Sequence, residues 1–220
     1  MTRALAVLRP EPGNAATAAR IAALGLTAIR MPLFEVRPLA WTPPDPDLHD
    51  ALILTSANTL RHAGPGLAEL DRLPVFAVGR TTADAARNAG FRVVSVGNKD
   101  AAALLAHAQT RGIARALYLG GRDRMIAPGG IVATALSVYA SAALLVAAKR
   151  VDELRDSIVL LHSVRAARAF ADLVNARDQY RIAAISPAVL NAAGTGWAGA
   201  VAASEPTDDA LLAAARKLAD

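Results

Sequence analysis

Six short segments of this sequence combine hydroxyl, guanidinium and glycine residues in a way suited to holding anions. They are Arg9-Pro10, Thr55-Ser56-Ala57-Asn58, Gly79-Arg80-Thr81-Thr82, Gly120-Gly121-Arg122-Asp123-Arg124, His162-Ser163-Val164-Arg165 and Ser186-Pro187. Each follows a short apolar run, the place where a strand would hand over to a helix. The first backbone N–H groups of a helix have no internal partners, and a nearby Ser, Thr or Arg adds a donor or a positive charge. The implied chemistry is recognition of carboxylates, with Arg9, Thr55, Ser56, Asn58, Arg80, Thr81, Thr82, Gly121, Arg122, Ser163 and Ser186 as candidate contacts. For Ser56, Thr82 or Ser163 taken singly, an ordinary N-cap is the simpler explanation. Repetition of the pattern at equivalent junctions is what points to a ligand. Gly120-Gly121 lacks the spacing of a nucleotide-binding loop, and no Ser–His–Asp set or carboxylate pair stands in a motif.

The elements that must position these junctions can be read from the apolar runs. Leu5–Leu8, Ala28–Met31, Leu52–Leu54, Val75–Val78, Val93–Val96, Ala116–Leu119, Ala135–Ala140, Ile158–Leu161, Ile182–Ile185 and Val201–Ala203 read as short strands, with Leu33–Arg37 as a connecting one. Helices are expected from about Asn14 to Gly25, from Ala57, over Thr82–Ala89, Asp100–Thr110, Ala166–Val174 and Asp208–Lys217, the last capped by Thr207. Short strands alternating with helices imply βαβ units and parallel sheets, whose ligands sit beyond the carboxyl ends of the strands.

Composition narrows the function classes. With no cysteine, thiolate catalysis, disulfides and Cys-ligated zinc are excluded, and the four scattered histidines have no metal-ligand spacing. A net charge of +5 favours an anionic partner. There is neither a basic run nor an aromatic platform, so nucleic acid is not expected. Met1–Pro10 is too short and too soon charged for a signal peptide. Ile131–Ala148 carries no charge and approaches the length of a membrane span, yet its Thr, Ser and Ala content reads instead as a buried helix end running into a strand. No membrane association is expected, and a cytoplasmic location is.

The chain also repeats itself. Residues from Ala51 onward align without a gap on those from Ile158 onward, a shift of 107 that puts Leu54 on Leu161, Ser56 on Ser163 and Val94 on Val201. It also puts Ala103-Leu104-Leu105-Ala106 on Ala210-Leu211-Leu212-Ala213, and Arg3-Ala4-Leu5 resembles Arg115-Ala116-Leu117. The expected fold is therefore α/β, with two similar three-layer parallel-sheet domains of flavodoxin-like type and a polyanion cleft between them. Residues 1–34 plus 152–220 would form domain 1. Residues 46–135 would form an inserted domain 2, with 35–45 and 136–151 as the linker crossings. The Pro-rich cluster Thr42–Asp47 reads as part of the linker.

In order and spacing these segments resemble the uroporphyrinogen-III synthase family. The chain has Arg9-Pro10, a TS-x-N segment at Thr55–Asn58, VG-x-x-TA at Val78–Ala83, Ala89-Gly90-Phe91, the Gly120-Gly121-Arg122 turn, Val138-Tyr139, and Glu205-Pro206-Thr207 leading to Ala210-Leu211-Leu212. The resemblance covers nearly the whole chain. It implies a cofactor-free, metal-free monomeric lyase of haem and porphyrin biosynthesis that closes hydroxymethylbilane with inversion of ring D and loss of water. A transient contact with the preceding pathway enzyme is also expected. By the same resemblance Tyr139 matches the family's linker tyrosine, a candidate proton donor to the leaving hydroxyl; the alternative is that it only packs the crossover strand.

The chain departs from the family pattern in places. Ser186-Pro187-Ala188-Val189 stands where Gly-Pro-Thr-Thr is usual, and His162 replaces a non-basic residue. Thr195-Gly196-Trp197 is an odd helix stop, and Met125–Gly130 is poor as a helix. The rivals are a non-catalytic relative that binds a tetrapyrrole or another polycarboxylate, and a two-domain small-ligand receptor.

Overall fold

The structure, a computed structural model, describes residues 3–97 and 100–218. In chain order its strands and helices are β1 (Ala4–Val7), α1 (Gly13–Ala23), β2 (Ala28–Arg30), β3 (Phe34–Pro38), β4 (Ala51–Leu54), α2 (Ala57–His62), β5 (Val75–Val78), α3 (Arg80–Asn88), β6 (Val93–Gly97) and α4 (Ala101–Thr110). They continue with β7 (Ala116–Gly121), β8 (Val132–Ala143), α5 (Ala148–Asp152), β9 (Ser157–Leu161), α6 (Val164–Leu173), β10 (Arg181–Ala184), α7 (Pro187–Ala193), β11 (Gly199–Ala202) and α8 (Asp208–Arg216). The chain divides into two compact units. One takes the residues up to Glu35 and those from Ala143 onward, and the other runs from Val36 to Ala142.

The first unit is built on a sheet of order β11-β10-β9-β1-β2, every pairing parallel. Its strands are almost wholly apolar because both faces are covered. Ala6, Leu8, Val159, Leu161 and Ile182 pack beneath α6 and α7 with Phe170 at the centre. Leu5, Val7, Ile158, Leu160 and Ala183 pack against Ile21 of α1 and Leu211, Leu212 and Ala215 of α8. Phe170 is fully buried between the edge of Tyr180 and the stacked ring of Trp197, each at 5.7 Å. Cutting it to Ala removes about 3–5 kcal/mol of stability.

The second unit has the order β3-β8-β7-β4-β5-β6, with β4 to β8 pairing in parallel. Leu52, Leu54, Val75, Ala77, Leu117 and Leu119 face Ala83 and Ala86 of α3, while Ile53, Phe76 and Tyr118 face Leu104 and Ala108 of α4. The 107-residue shift carries β4 onto β9, α2 onto α6, β5 onto β10, α3 onto α7, β6 onto β11 and α4 onto α8. Strands β7 and β8 stand beside β4 as β1 and β2 stand beside β9.

Local structure departs from some expectations and agrees with others. The uncharged run from Ile131 does not open on a helix end: β8 occupies it from Val132 to Ala143, and a helix begins only at its last residue, Ala148. Among the described residues no helix is long and apolar enough to cross a membrane. After β7 there is only a short 3-10 turn at Arg122–Arg124 before β8, so Met125–Gly130 carries no helix. Helix α3 starts at Arg80, two residues early, because Gly79 at φ 76 makes the turn that begins it. The stop after α7 is Gly194, at φ 74, and not Thr195–Trp197; Trp197 Nε1 donates back to its carbonyl at 3.1 Å. The segment around the prolines packs within the second unit: Trp41 Nε1 donates to the Ala63 carbonyl at 2.6 Å, and Pro43 lies on Gly66.

Candidate functional site

Parallel pairing brings all the strand-to-helix junctions of a unit to one edge of its sheet. In the second unit that edge carries the ends of β8, β7, β4 and β5 side by side. Leu54 pairs with Leu119 on one side and Ala77 on the other, so Thr55 follows between Gly120 and Val78. Thr55 Oγ1 lies 3.0 Å from the phenol oxygen of Tyr118. Tyr118 is 1% exposed, and burial pushes its phenol above the ordinary range, with the Thr55 hydrogen bond opposing. Its ring leans over Gly120, where a Cβ would collide with the phenol.

Gly121 pairs with Tyr139 across the β7–β8 ladder. The Tyr139 ring lies over the Gly121 α-carbon, with His62 on a second side, ring centroids 6.2 Å apart and tilted. Burial, then the Arg61 charge, lower the His62 imidazole below its usual value, which leaves it neutral near pH 7. Arg122 is exposed directly after Gly121.

The hydroxyls and guanidiniums at this edge differ in what they can do. Ser56 caps α2 by accepting from Asn58 N at 3.2 Å, and the side-chain Oδ1 of Asn58 accepts from Arg61 at 2.9 Å. Arg80 and Thr81 are exposed on the first turn of α3, whereas Thr82 is 4% exposed. Thr82 thus lies inside the junction rather than on its exposed side. Because α3 begins two residues early, its third residue turns inward, and Arg80 and Thr81 are the residues left at that junction.

The equivalent corner of the first unit is built from unlike residues. The counterpart of Thr55 under the 107 shift is His162, one residue beyond β9. Its side chain is 5% exposed, with Nε2 3.3 Å from Asp208 Oδ1, and neither ring nitrogen makes a well-formed hydrogen bond. Burial first, then the Arg9 charge, push this imidazole down to about 4, against the pull of Asp208. Asp208, on the first turn of α8, also takes Arg9 at 3.1 Å and the Thr17 hydroxyl at 2.7 Å. Arg9 is thus at the strand end as expected, but already ion-paired. Asn14 holds the turn before α1 by donating to the Val7 and Arg9 carbonyls at 2.8 and 3.0 Å and accepting from Arg30 at 2.8 Å. Ser163 and Ser186 cap α6 and α7, accepting from Ala166 N at 3.1 Å and Val189 N at 3.4 Å.

The structure therefore gathers Thr55, Ser56, Asn58, Arg80, Thr81, Gly121, Arg122 and Tyr139 along the carboxyl edge of the second unit's sheet, and Arg9, Ser163 and Ser186 along that of the first. Sequence reasoning missed Tyr118, Asp208, Thr17 and Asn14. Only the doubled glycine at 120–121, bare beside two tyrosines, carried a signal for any of them. Among the described residues no group of three or more His, Asp or Glu side chains is disposed to hold a metal ion.

The family described as uroporphyrinogen-III synthase HemD matches residues 15–213. Among solved structures, the uroporphyrinogen-III synthetase of Helicobacter pylori aligns with a TM-score of 0.65 at 18% identity, covering 96% of this chain and 97% of that one. A mutant uroporphyrinogen III synthase of Thermus thermophilus aligns with a TM-score of 0.51 at 16% identity, covering 96% of each chain. No curated protein matches the sequence. At these identities the structural likeness bears on the fold, an α/β arrangement of parallel-sheet layers.

Proposed function

This chain belongs to the uroporphyrinogen-III synthase family, the cyclising lyases of tetrapyrrole biosynthesis, and from that premise we propose how its own residues carry the reaction. The substrate is hydroxymethylbilane, with eight carboxylates to be held. Arg80, Thr81, Arg122 and the amides of the α2 and α3 first turns bind some of them in the second unit. Arg9 and the capped turns at Ser163 and Ser186 bind others in the first. The net charge of +5 suits such a ligand.

Loss of the substrate hydroxyl as water requires a proton, and Tyr139 supplies it as a general acid. The azafulvene so formed is attacked by the substituted carbon of the terminal pyrrole to give a spiro intermediate. Fragmentation and recombination then close the inverted ring. The pyrroles supply the electrons, so the protein's task is to fold the chain and disfavour the uninverted closure. The observation that carries this reading is the Gly121–Tyr139 pairing, which sets a phenol at the same sheet edge as Thr55, Arg80 and Arg122.

The finer architecture belongs to the same reading: two flavodoxin-like, three-layer domains, the inserted one spanning about 46–135, in a monomer working in the cytoplasm. The test is to add the protein to hydroxymethylbilane and separate the product isomers. We expect the III isomer, and a Tyr139→Phe variant slowed by about a hundredfold with substrate affinity kept. The I isomer alone would end the assignment. Unchanged turnover in Tyr139→Phe would remove the tyrosine from the mechanism.

A further inference from the structure

We propose that Tyr118 is a positioning residue: its phenol donates to Thr55 Oγ1, so that the single hydrogen of the threonine hydroxyl is committed to a substrate carboxylate. The inference rests on the reading of Thr55 as a substrate contact.

Three observations support it. The two oxygens are 3.0 Å apart, and they join neighbouring strands at the carboxyl edge of the second sheet. Tyr118 reaches Thr55 only because Gly120 has no side chain, since a Cβ there would overlap the phenol. Glycine at 120 thus serves the tyrosine rather than a backbone turn. The phenol is also buried, and burial keeps it protonated across the working pH range. At this separation either oxygen can be the donor, and we give that role to the phenol, whose O–H is more acidic than an alcohol's.

A threonine hydroxyl at a strand end rotates among its staggered positions. Once it accepts a hydrogen bond, its own O–H is directed away from that donor and becomes a better donor in turn. The corresponding corner of the first unit is organised differently: there His162 stands in the place of Thr55, against the Asp208–Arg9 pair. The duplicated scaffold thus has one corner held by a neutral hydroxyl pair and one by charges. The neutral corner presents a hydroxyl ready to meet an anion, whereas at the charged corner the Thr17 hydroxyl is already taken by Asp208.

The test is a double-mutant cycle on hydroxymethylbilane turnover, with KM, kcat, product isomer ratio and melting temperature read for wild type, Thr55→Val, Tyr118→Phe and the double variant. Thr55→Val should raise KM about tenfold, as for a lost hydrogen bond to a charged group. Tyr118→Phe should raise KM about three- to fivefold with kcat within about twofold, and add nothing in the Thr55→Val background. In a Thr55→Ser background, which keeps the hydroxyl, the Tyr118→Phe effect should persist. An additive Tyr118→Phe effect, or none on KM while Thr55→Val impairs binding, would overturn the positioning role alone. An unimpaired Thr55→Val would overturn the threonine contact, and the proposal with it. Should Tyr118→Phe fail to fold, Gly120→Ala displaces the phenol without removing it, and its KM effect must likewise vanish with Thr55→Val.

Discussion

The ring of Tyr139 occupies the space that a side chain on Gly121 would need: a Cβ there would lie 2.5 Å from the tyrosine Cε2. Gly121 has φ −86, which any residue adopts, so glycine is required for room and not for backbone conformation. Gly121→Ala should therefore fold with a loss of about 1–3 kcal/mol from overpacking. It should also lower kcat nearly as far as Tyr139→Phe does. Thermal melts and steady-state kinetics on the pair check this; full kcat in the alanine variant would show that the ring position is not critical.

His162 makes stability depend on pH in a defined direction. Its imidazole takes up a proton near 6.5 when unfolded and near 4 in the fold. The folded pKa is depressed, so the stability from keeping His162 neutral is whole above pH 6.5 and is lost as pH falls from 6.5 to 4. The total is about 3 kcal/mol. Urea unfolding at pH 7.5 and 4.5 should show wild type losing roughly 2–3 kcal/mol more than His162→Gln. Equal losses would mean that the imidazole is solvated.

Asp208 holds Arg9, and it does so with only 14% of its side chain exposed. Asp208→Asn keeps the shape but removes the charge that Arg9 and the Thr17 hydroxyl both use. Because Arg9 is about one-third exposed and partly screened, we expect a loss of roughly 2 kcal/mol rather than the larger figure for a fully buried pair. Losing that anion should also lower the His162 pKa further. Denaturant melts and NMR titration of the imidazole measure the two effects.

Arg80 and Arg122 are exposed at the edge that carries Tyr139. Charge removal by Arg80→Gln or Arg122→Gln should raise KM by about three- to tenfold at low salt, and by less at roughly 0.5 M salt, where screening already weakens the attraction. kcat should change little, because these contacts hold substrate and transition state alike. A salt-independent KM would place both arginines outside the substrate's field.

Local signals account for what could be read before folding. The apolar runs that became β4, β5 and β9 are continuous because both sheet faces are covered. The caps at Asp100, Ser163 and Thr207 bond to amides three residues away, so their spacing is visible in the chain. Helix α7 was legible only through its ends, the Ser186-Pro187 junction before it and the stop after it, because Pro187–Ala193 is too short for a clear period. The burial of Thr82 was not legible, because it follows from α3 starting at Arg80, two residues before the expected start.

By itself, then, the sequence determined the alternation of strand and helix, the doubling at a spacing of 107, and which junctions carry hydroxyls and arginines, all matters of local pattern or of self-comparison. Only the tertiary structure decided that Tyr118 meets Thr55 and that Asp208 takes Arg9, partners 63 and 199 residues apart. Those meetings depend on β7 lying beside β4 and on the first turn of α8 reaching the end of β1. Such neighbours are chosen by burial of whole faces, which leaves no mark in the spacing of the residues that end up touching.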